Sequence, residues 1–269
     1  MTKPTTPATP TTPSTPGAPA EPAKHWTVSG PPGAPAIVFV HGAMMGRSVW
    51  APQLQRLSDR FRCIAVDQPG HGALRGERFT MDRAVRNVVE AIDREAGGRA
   101  VVVGLSLGGY VAMTVAGYSP ERVCGLVIAG CTREPVGLSR LGFHAYSWGL
   151  RIVPERLVSA VALRWFRVRY GPEIAKAITA GGHFSAGGSR AVGHLANRRL
   201  RTQLLAYDGP VQAINGATDL VFVIGARRFL EGVRDLRYTV IPRAGHLSNV
   251  DAPDRFTAIV EEFIATLPA

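Results

Sequence analysis

The segment Arg99-Ala100-Val101-Val102-Val103 has the unbroken apolar character of a buried strand, and it leads directly into Gly104-Leu105-Ser106-Leu107-Gly108. The next residues, Gly109-Tyr110-Val111-Ala112-Met113-Thr114-Val115-Ala116, read as a helix. A serine between glycines at a strand-to-helix turn is a nucleophile elbow: the tight turn strains the serine backbone and lifts its hydroxyl above the sheet. The flanking glycines are required because side chains there would collide with the neighbouring strand and helix. Gly-x-Ser-x-Gly alone is common in turns. The strand before it and the helix after it give the match its specificity.

A serine hydroxyl is a weak nucleophile near neutral pH, so a histidine must take its proton. A carboxylate must then hold that histidine in one tautomer and stabilise its charged form. On such an elbow the partners follow in the order Ser, Asp/Glu, His. Val211-Gln212-Ala213-Ile214-Asn215-Gly216 reads as a strand, followed by Ala217-Thr218-Asp219 in a loop. Arg237-Tyr238-Thr239-Val240-Ile241 reads as another, followed by Pro242-Arg243-Ala244-Gly245-His246. Asp219 and His246 thus both fall just past strand ends, the edge of a parallel sheet where chemistry collects.

Together with Val38-Phe39-Val40-His41-Gly42 and Asp67-Gln68-Pro69-Gly70-His71-Gly72, these segments resemble the α/β-hydrolase superfamily from about His25 onward. The resemblance implies an α/β fold with a mostly parallel sheet, helices on both faces and an inserted helical cap. It implies Ser106 as nucleophile, Asp219 as acid and His246 as base. It also implies an oxyanion hole from the backbone N–H groups of Leu107 and Ala43, with Met44 as the alternate second donor. Within the superfamily the chain most resembles the small capped group that includes 3-oxoadipate enol-lactonase and pimeloyl-carrier methyl esterase. Serine at the elbow argues against haloalkane dehalogenases and soluble epoxide hydrolases, which use aspartate there.

Other residues compete for these roles. His41 and His71 lie in Gly-flanked loops and read as structural hydrogen-bonders. His144, His183 and His194 fall in the middle segment, lining a pocket or facing solvent. Asp67 ends a strand but precedes the elbow, and in the family's pattern it is structural. Glu134, after the strand ending near Gly130, is the runner-up acid.

The chain has 269 residues, 46% of them hydrophobic, enough for one large domain with an insertion. No stretch approaches the ~20 apolar residues of a membrane span. Cys63, Cys124 and Cys131 are odd in number, so buried free thiols are expected rather than a disulfide framework. There is no Cys-x-x-Cys or His-x-x-x-His spacing, P-loop or dinucleotide fingerprint, and neither a metal nor another cofactor is expected. Net charge is +11, carried by arginine except at Lys3, Lys24 and Lys176. The arginines are mostly dispersed, with no aromatic-interleaved module, so a basic solvated surface is preferred over nucleic-acid binding. A cytoplasmic location is expected, and the oligomeric state is left open.

Residues 1–24 form a separate unit. Prolines at 4, 7, 10, 13, 16, 19 and 22 repeat every third residue, a period that aligns them along one edge of a polyproline II helix. Such a tail buries no core and is expected to be disordered, a solvated extension rather than a docking site. It leaves only His25–Ser29 as a strand before the Ala36–Val40 strand, so the family's first edge strand is expected to be absent or displaced.

Strands and helices then alternate: strand Ala36–Val40, helix Pro52–Ser58, strand Arg62–Asp67, helix Met81–Ala96, strand Arg99–Leu105, the elbow helix, and strand Val123–Ala129. In the Met81–Ala96 helix, Val85, Val88, Val89 and Ile92 recur at helical spacing and should face the core. Alternation stops between Cys131 and about Tyr207. That segment reads as helices Leu138–Ile152, Pro154–Val168, Pro172–Thr179 and Ser189–Gln203, which gives core segments 25–132 and 206–269 and a cap over 133–205. Of its aromatics, Phe143, Tyr146, Trp148, Trp165, Phe166 and Phe184, most are expected to pack within the cap. Arg164, Arg167, Arg169, Arg198, Arg199 and Arg201 offer an anion-binding surface as the alternative to a solvated face.

These features imply a serine hydrolase of small-molecule carboxylic esters or lactones acting through an acyl-enzyme. The same triad serves thioesterases, carbon–carbon bond hydrolases and cofactor-free haloperoxidases. Two readings of another class are a non-catalytic binding protein on this scaffold and a scaffold protein acting through its Pro/Thr tail.

Overall fold

The computed structural model describes residues 25–268. The Pro/Thr segment 1–24, with the expectations attached to it, lies outside the described residues. Seven strands form one sheet: β1 (Trp26–Ser29), β2 (Ala36–Val40), β3 (Arg62–Val66), β4 (Ala100–Leu105), β5 (Val123–Ala129), β6 (Val211–Gly216) and β7 (Leu236–Ile241). Their spatial order is β1-β3-β2-β4-β5-β6-β7. Only β1 runs antiparallel, pairing Trp26 with Val66 at the edge of β3; the other pairings are parallel.

The helices are α1 (Ala51–Leu57), α2 (Met81–Glu95), α3 (Leu107–Tyr118), α4 (Ser139–Ile152), α5 (Glu155–Tyr170), α6 (Pro172–Ile178), α7 (Ser185–Leu195), α8 (Arg201–Ala206), α9 (Leu220–Val223), α10 (Ala226–Leu230), α11 (Ser248–Asp251) and α12 (Pro253–Ile264). The central strands are continuous apolar runs because both faces of the sheet are covered. Successive side chains point to opposite faces. Val38, Val40, Ile64, Val66 and Val102 therefore pack with α2, α3, α8 and α10. Ile37, Phe39, Cys63, Ala65 and Val103 pack with α1 and α12 through Trp50, Leu57, Phe256 and Phe263.

In α2 the Thr80 side chain caps the first turn by accepting from the Arg83 N–H at 3.2 Å. Val88 and Ile92 are fully buried, and Val85 and Val89 are half-buried against the same core. The strands lie within a residue of the sequence expectation. One helix does not: the expected Ser189–Gln203 helix is two, α7 and α8. Asn197 interrupts it at φ 72°, in the left-handed region that asparagine tolerates better than most residues.

The cysteines are free, with Cys63 and Cys131 buried. Among the described residues no helix is long and apolar enough to cross a membrane, and no cluster of residues suited to holding a metal ion occurs. Helices α4 to α8 form a helical insertion between β5 and β6.

Candidate active site

The β4–α3 turn fixes Ser106 first. Its backbone sits at φ 54° and ψ −116°, a region a side chain enters only when its surroundings enforce it. The Ser106 N–H donates to Ala129 O at 2.7 Å, and the Gly109 N–H donates to Ser106 O at 2.9 Å. A Cβ at Gly104 would lie 2.3 Å from Gly108 O, and one at Gly108 would lie 2.1 Å from Val40 O. Only glycine lets strand and helix approach this closely, so the elbow's glycines are a steric requirement.

Asp219 follows β6 in a turn closed by its own N–H to Gly216 O at 3.0 Å. His246 follows β7. The two loops are joined by Thr218, whose N–H and hydroxyl both donate to Ala244 O at 2.9 Å. The Gly245 N–H donates to Asp251 Oδ2 at 2.8 Å. These bonds bring His246 Nδ1 to 2.7 Å from Asp219 Oδ2. Asp219 is buried while His246 remains open to the cavity. With Nδ1–H donating to the carboxylate, Nε2 is left as an acceptor. Phe222 stacks on the imidazole, with ring centroids 5.3 Å apart and planes at 22°. Gly130 passes beneath the ring: a Cβ there would lie 3.2 Å from His246 Nδ1.

The loop after β2 completes this edge. A Cβ at Gly42 would lie 3.3 Å from Ser106 Cβ, so Ala43 and Met44 come next to the serine. The Met44 N–H donates to His71 Nε2 at 3.3 Å. The Ala43 and Leu107 N–H groups have no acceptor among the described residues. His71 Nδ1 lies 3.0 Å from Pro69 O, His41 Nδ1 lies 2.7 Å from Gly42 O, and His41 Nε2 accepts from the Gln68 N–H at 3.0 Å. Both rings are fully buried as braces for these loops. Burial lowers the pKa of each, that of His71 to about 3. Asp67 accepts from the Arg47 N–H at 2.9 Å, Arg47 Nη1 at 2.6 Å and the Ala73 N–H at 2.9 Å, also a bracing role. Glu134 accepts from the Arg201 N–H at 3.3 Å and does not join the His246 pair.

Ser106, Asp219, His246, Ala43 and Met44 line one cavity of about 1390 Å³. Its wall is mostly apolar. Of the insertion's aromatics, Phe143, Tyr146, Trp165 and Phe166 line this cavity, and Trp165 also packs edge-on against Phe166 with ring centroids 5.4 Å apart; α4 and α5 each bury a single side chain, Ser147 and Phe166. The arginine-rich anion site is not assembled there either. Of the six arginines only Arg169 reaches the cavity, and it pairs with Asp251 at 2.9 Å. Arg198 donates to His194 O at 3.1 Å and Arg201 to Phe229 O at 2.7 Å, away from the serine. His183 lines the cavity and His194 accepts from the Met81 N–H at 3.3 Å, whereas His144 is exposed.

The insertion is fastened to the Ala43–Met44 loop at one point. The Phe184 N–H donates to Met44 O at 2.7 Å, and Tyr146 Oη donates to Met44 Sδ at 3.5 Å. Sequence reasoning did not find Phe222 or the buried network under it. Asn215 Nδ2 donates to Thr132 Oγ1 at 2.8 Å and to Phe222 O at 3.2 Å. The one available signal was an asparagine at the carboxyl end of a strand whose every residue is buried.

The family model described as alpha/beta hydrolase family matches residues 37–259. The chain is 28% identical to 3-oxoadipate enol-lactonase 2 of Acinetobacter baylyi, over 89% of this chain and 92% of that protein. It is 29% identical to the pimeloyl-[acyl-carrier protein] methyl ester esterase of Nitrosomonas europaea, over 83% and 93%. Among solved structures, the enol-lactonase from Burkholderia xenovorans LB400 superposes with a TM-score of 0.76 at 22% identity, covering 90% of this chain and 96% of that one.

Proposed function

This chain belongs to the alpha/beta hydrolase family, and on that premise we propose that it is a serine hydrolase cleaving small-molecule carboxylic esters or lactones through an acyl-enzyme. The observation that carries the reading is that Ser106, the Asp219–His246 pair at 2.7 Å and Ala43 line one apolar cavity, with the Ala43 N–H and the adjoining Leu107 N–H lacking acceptors among the described residues.

In this mechanism Ser106 Oγ attacks the carbonyl carbon while His246 Nε2 takes its proton. Asp219 keeps the Nδ1–H tautomer and stabilises the imidazolium. The carbonyl oxygen becomes an oxyanion held by the Ala43 and Leu107 N–H groups. Met44 is the weaker choice of donor because its N–H is engaged by His71. His246 then protonates the leaving alcohol and activates water against the acyl-enzyme. Residues 133–205 act as the cap, excluding water and shaping the pocket. The apolar wall supports an ester with a large apolar acyl or alcohol group, since a cavity of ~300–1,000 Å³ already suffices for a drug-sized ligand. The named lactonase and esterase relatives support the substrate class, and the three free thiols fit a cytoplasmic location.

Hydrolysis of a chain-length series of p-nitrophenyl esters by wild type and Ser106→Ala tests the reading. Turnover absent in the variant supports it, and the preferred chain length sizes the pocket. Turnover surviving in the variant, or no turnover by folded wild type on any chain length, counts against it.

A further inference from the structure

The proposed cap leaves many of its large apolar side chains exposed. Helices α4 and α5 bury one side chain each, yet they are rich in large apolar residues. On α5, Leu157, Val161, Trp165 and Val168 recur at helical spacing as one exposed stripe, with Val161 62% and Val168 80% exposed. Leu157, Val161 and Trp165 also line the cavity, as do the exposed Leu138 before α4 and Val221 on α9. Side chains that both line a cavity and face solvent form its rim. Leu220 and Ile224 extend the apolar surface beyond it on the core side. Large apolar side chains this exposed around one cavity mouth are unusual on a surface that stays wet.

Charge is concentrated on the same segment. Residues 133–205 hold twelve arginines and lysines against three glutamates, a net +9 of the chain's +11. On α5, Arg156, Arg164 and Arg167 are exposed and have no carboxylate partner among the described residues. Apolar and cationic side chains thus alternate along one helix. An acidic protein surface would pair with the arginines but leave the Leu, Val and Trp side chains wet. A second copy would cover the apolar stripe but bring like charges together. An anionic lipid surface satisfies both, with apolar side chains entering the acyl boundary and guanidinium groups meeting headgroup anions.

We propose that the rim formed by the α5 stripe, Leu138 and α9 docks on an anionic lipid surface, presenting the mouth of the active-site cavity to the bilayer. Docking stands apart from the hydrolase reading, because it is carried by surface chemistry rather than by Ser106. If that reading holds as well, lipophilic esters enter the cavity from the lipid without crossing water.

The test is co-sedimentation of the full chain with phosphatidylcholine vesicles and with vesicles containing about one third phosphatidylglycerol. Val168→Ser/Ile224→Ser and Arg164→Glu/Arg167→Glu run in parallel; none of these four residues lines the cavity. The expected result is pelleting with the anionic vesicles and at least about 10-fold weaker partitioning into phosphatidylcholine alone. A similar loss is expected in 0.5 M salt and in each double variant. Unchanged cleavage of a water-soluble short ester, or an unchanged thermal midpoint should no ester be cleaved, verifies that the variants are folded. No association with anionic vesicles overturns the proposal, and so does association that both folded double variants retain. Sedimentation velocity without vesicles covers the remaining occupant: a dimer that Val168→Ser/Ile224→Ser dissociates would assign the stripe to a second copy and also overturn it.

Discussion

The β4–α3 elbow and the outer helices α4 and α5 use glycine and burial in opposite ways. Around the elbow, a Cβ at Gly104, Gly108 or Gly109 would lie within 2.3 Å of its nearest neighbour. In α4, Gly142 and Gly149 have nothing within 4 Å of where a Cβ would sit. Strands β4 and β6 are buried at every position, whereas α4 and α5 are mostly exposed. The difference separates two tasks. Chemistry needs groups held within tenths of an ångström, which close packing on a sheet edge supplies. Access and selectivity need only a wall, which the loosely packed α4 and α5 can supply.

The largest effect that could break this division is at Ser106, the proposed nucleophile. Ser106→Ala should lower kcat by as much as ~10⁶-fold, the scale for removing a triad serine. Its thermal midpoint should stay near wild type, since the Ser106 hydroxyl makes no hydrogen bond among the described residues. Asp219→Asn keeps the shape but loses the carboxylate that fixes the His246 tautomer, and should cost about 10⁴-fold in kcat. Steady-state kinetics on one soluble ester compares the two. A loss below tenfold for Asp219→Asn would mean that the 2.7 Å pair is structural and the acid lies elsewhere.

At the next level, Gly108→Ala places a methyl group 2.1 Å from Val40 O. Backbone on both sides must move, so the expected loss exceeds about 3 kcal/mol. Urea unfolding measures it. A near-neutral Gly108→Ala would show that the elbow yields, and the contrast with α4 and α5 would fail.

The same contrast explains what was legible in the sequence. The β4 run, the elbow, Asp219 and His246 were readable because backbone sterics and chain order permit few alternatives there. Strand ends fell within a residue for that reason. The α7–α8 break at Asn197 was not readable, because an isolated asparagine is compatible with a helix until tertiary contacts are known. Nor was the wall of the cavity. Trp165 and Phe143 look alike whether they pack inward or line a pocket, and only the shallow burial of α4 and α5 decides. Phe222 on His246 was hidden because stacking depends on the path of the loop after Asp219.

Acid stability sharpens the comparison from the core side. His71, and with it His41, has a folded pKa below the ordinary 6.5 because burial opposes the charged ring. The unfolded chain therefore binds more protons below pH 6.5. Their contribution is fully present above about pH 6.5 and is lost as pH falls from there, for His71 down to its folded pKa of about 3. The slope is up to ~1.4 kcal/mol per pH unit for each ring while only the unfolded form titrates. The urea midpoint should fall between pH 7 and pH 5, and His71→Gln should flatten that fall. A midpoint independent of pH in this range would mean that these rings are protonated in the folded protein.

The smallest effect tests the insertion by itself. Gly149 sits inside α4 with open space where a Cβ would go, and its backbone is in no region reserved for glycine. Alanine there removes unfolded-chain entropy and adds helix propensity, together stabilising by up to ~1 kcal/mol. If α4 unfolds together with the core, the gain appears in the urea midpoint. If the insertion opens independently, the global midpoint stays fixed and hydrogen exchange slows within α4 alone. Destabilisation would mean that something covers this face of α4 in solution, and the loosely packed wall would then be one half of an interface.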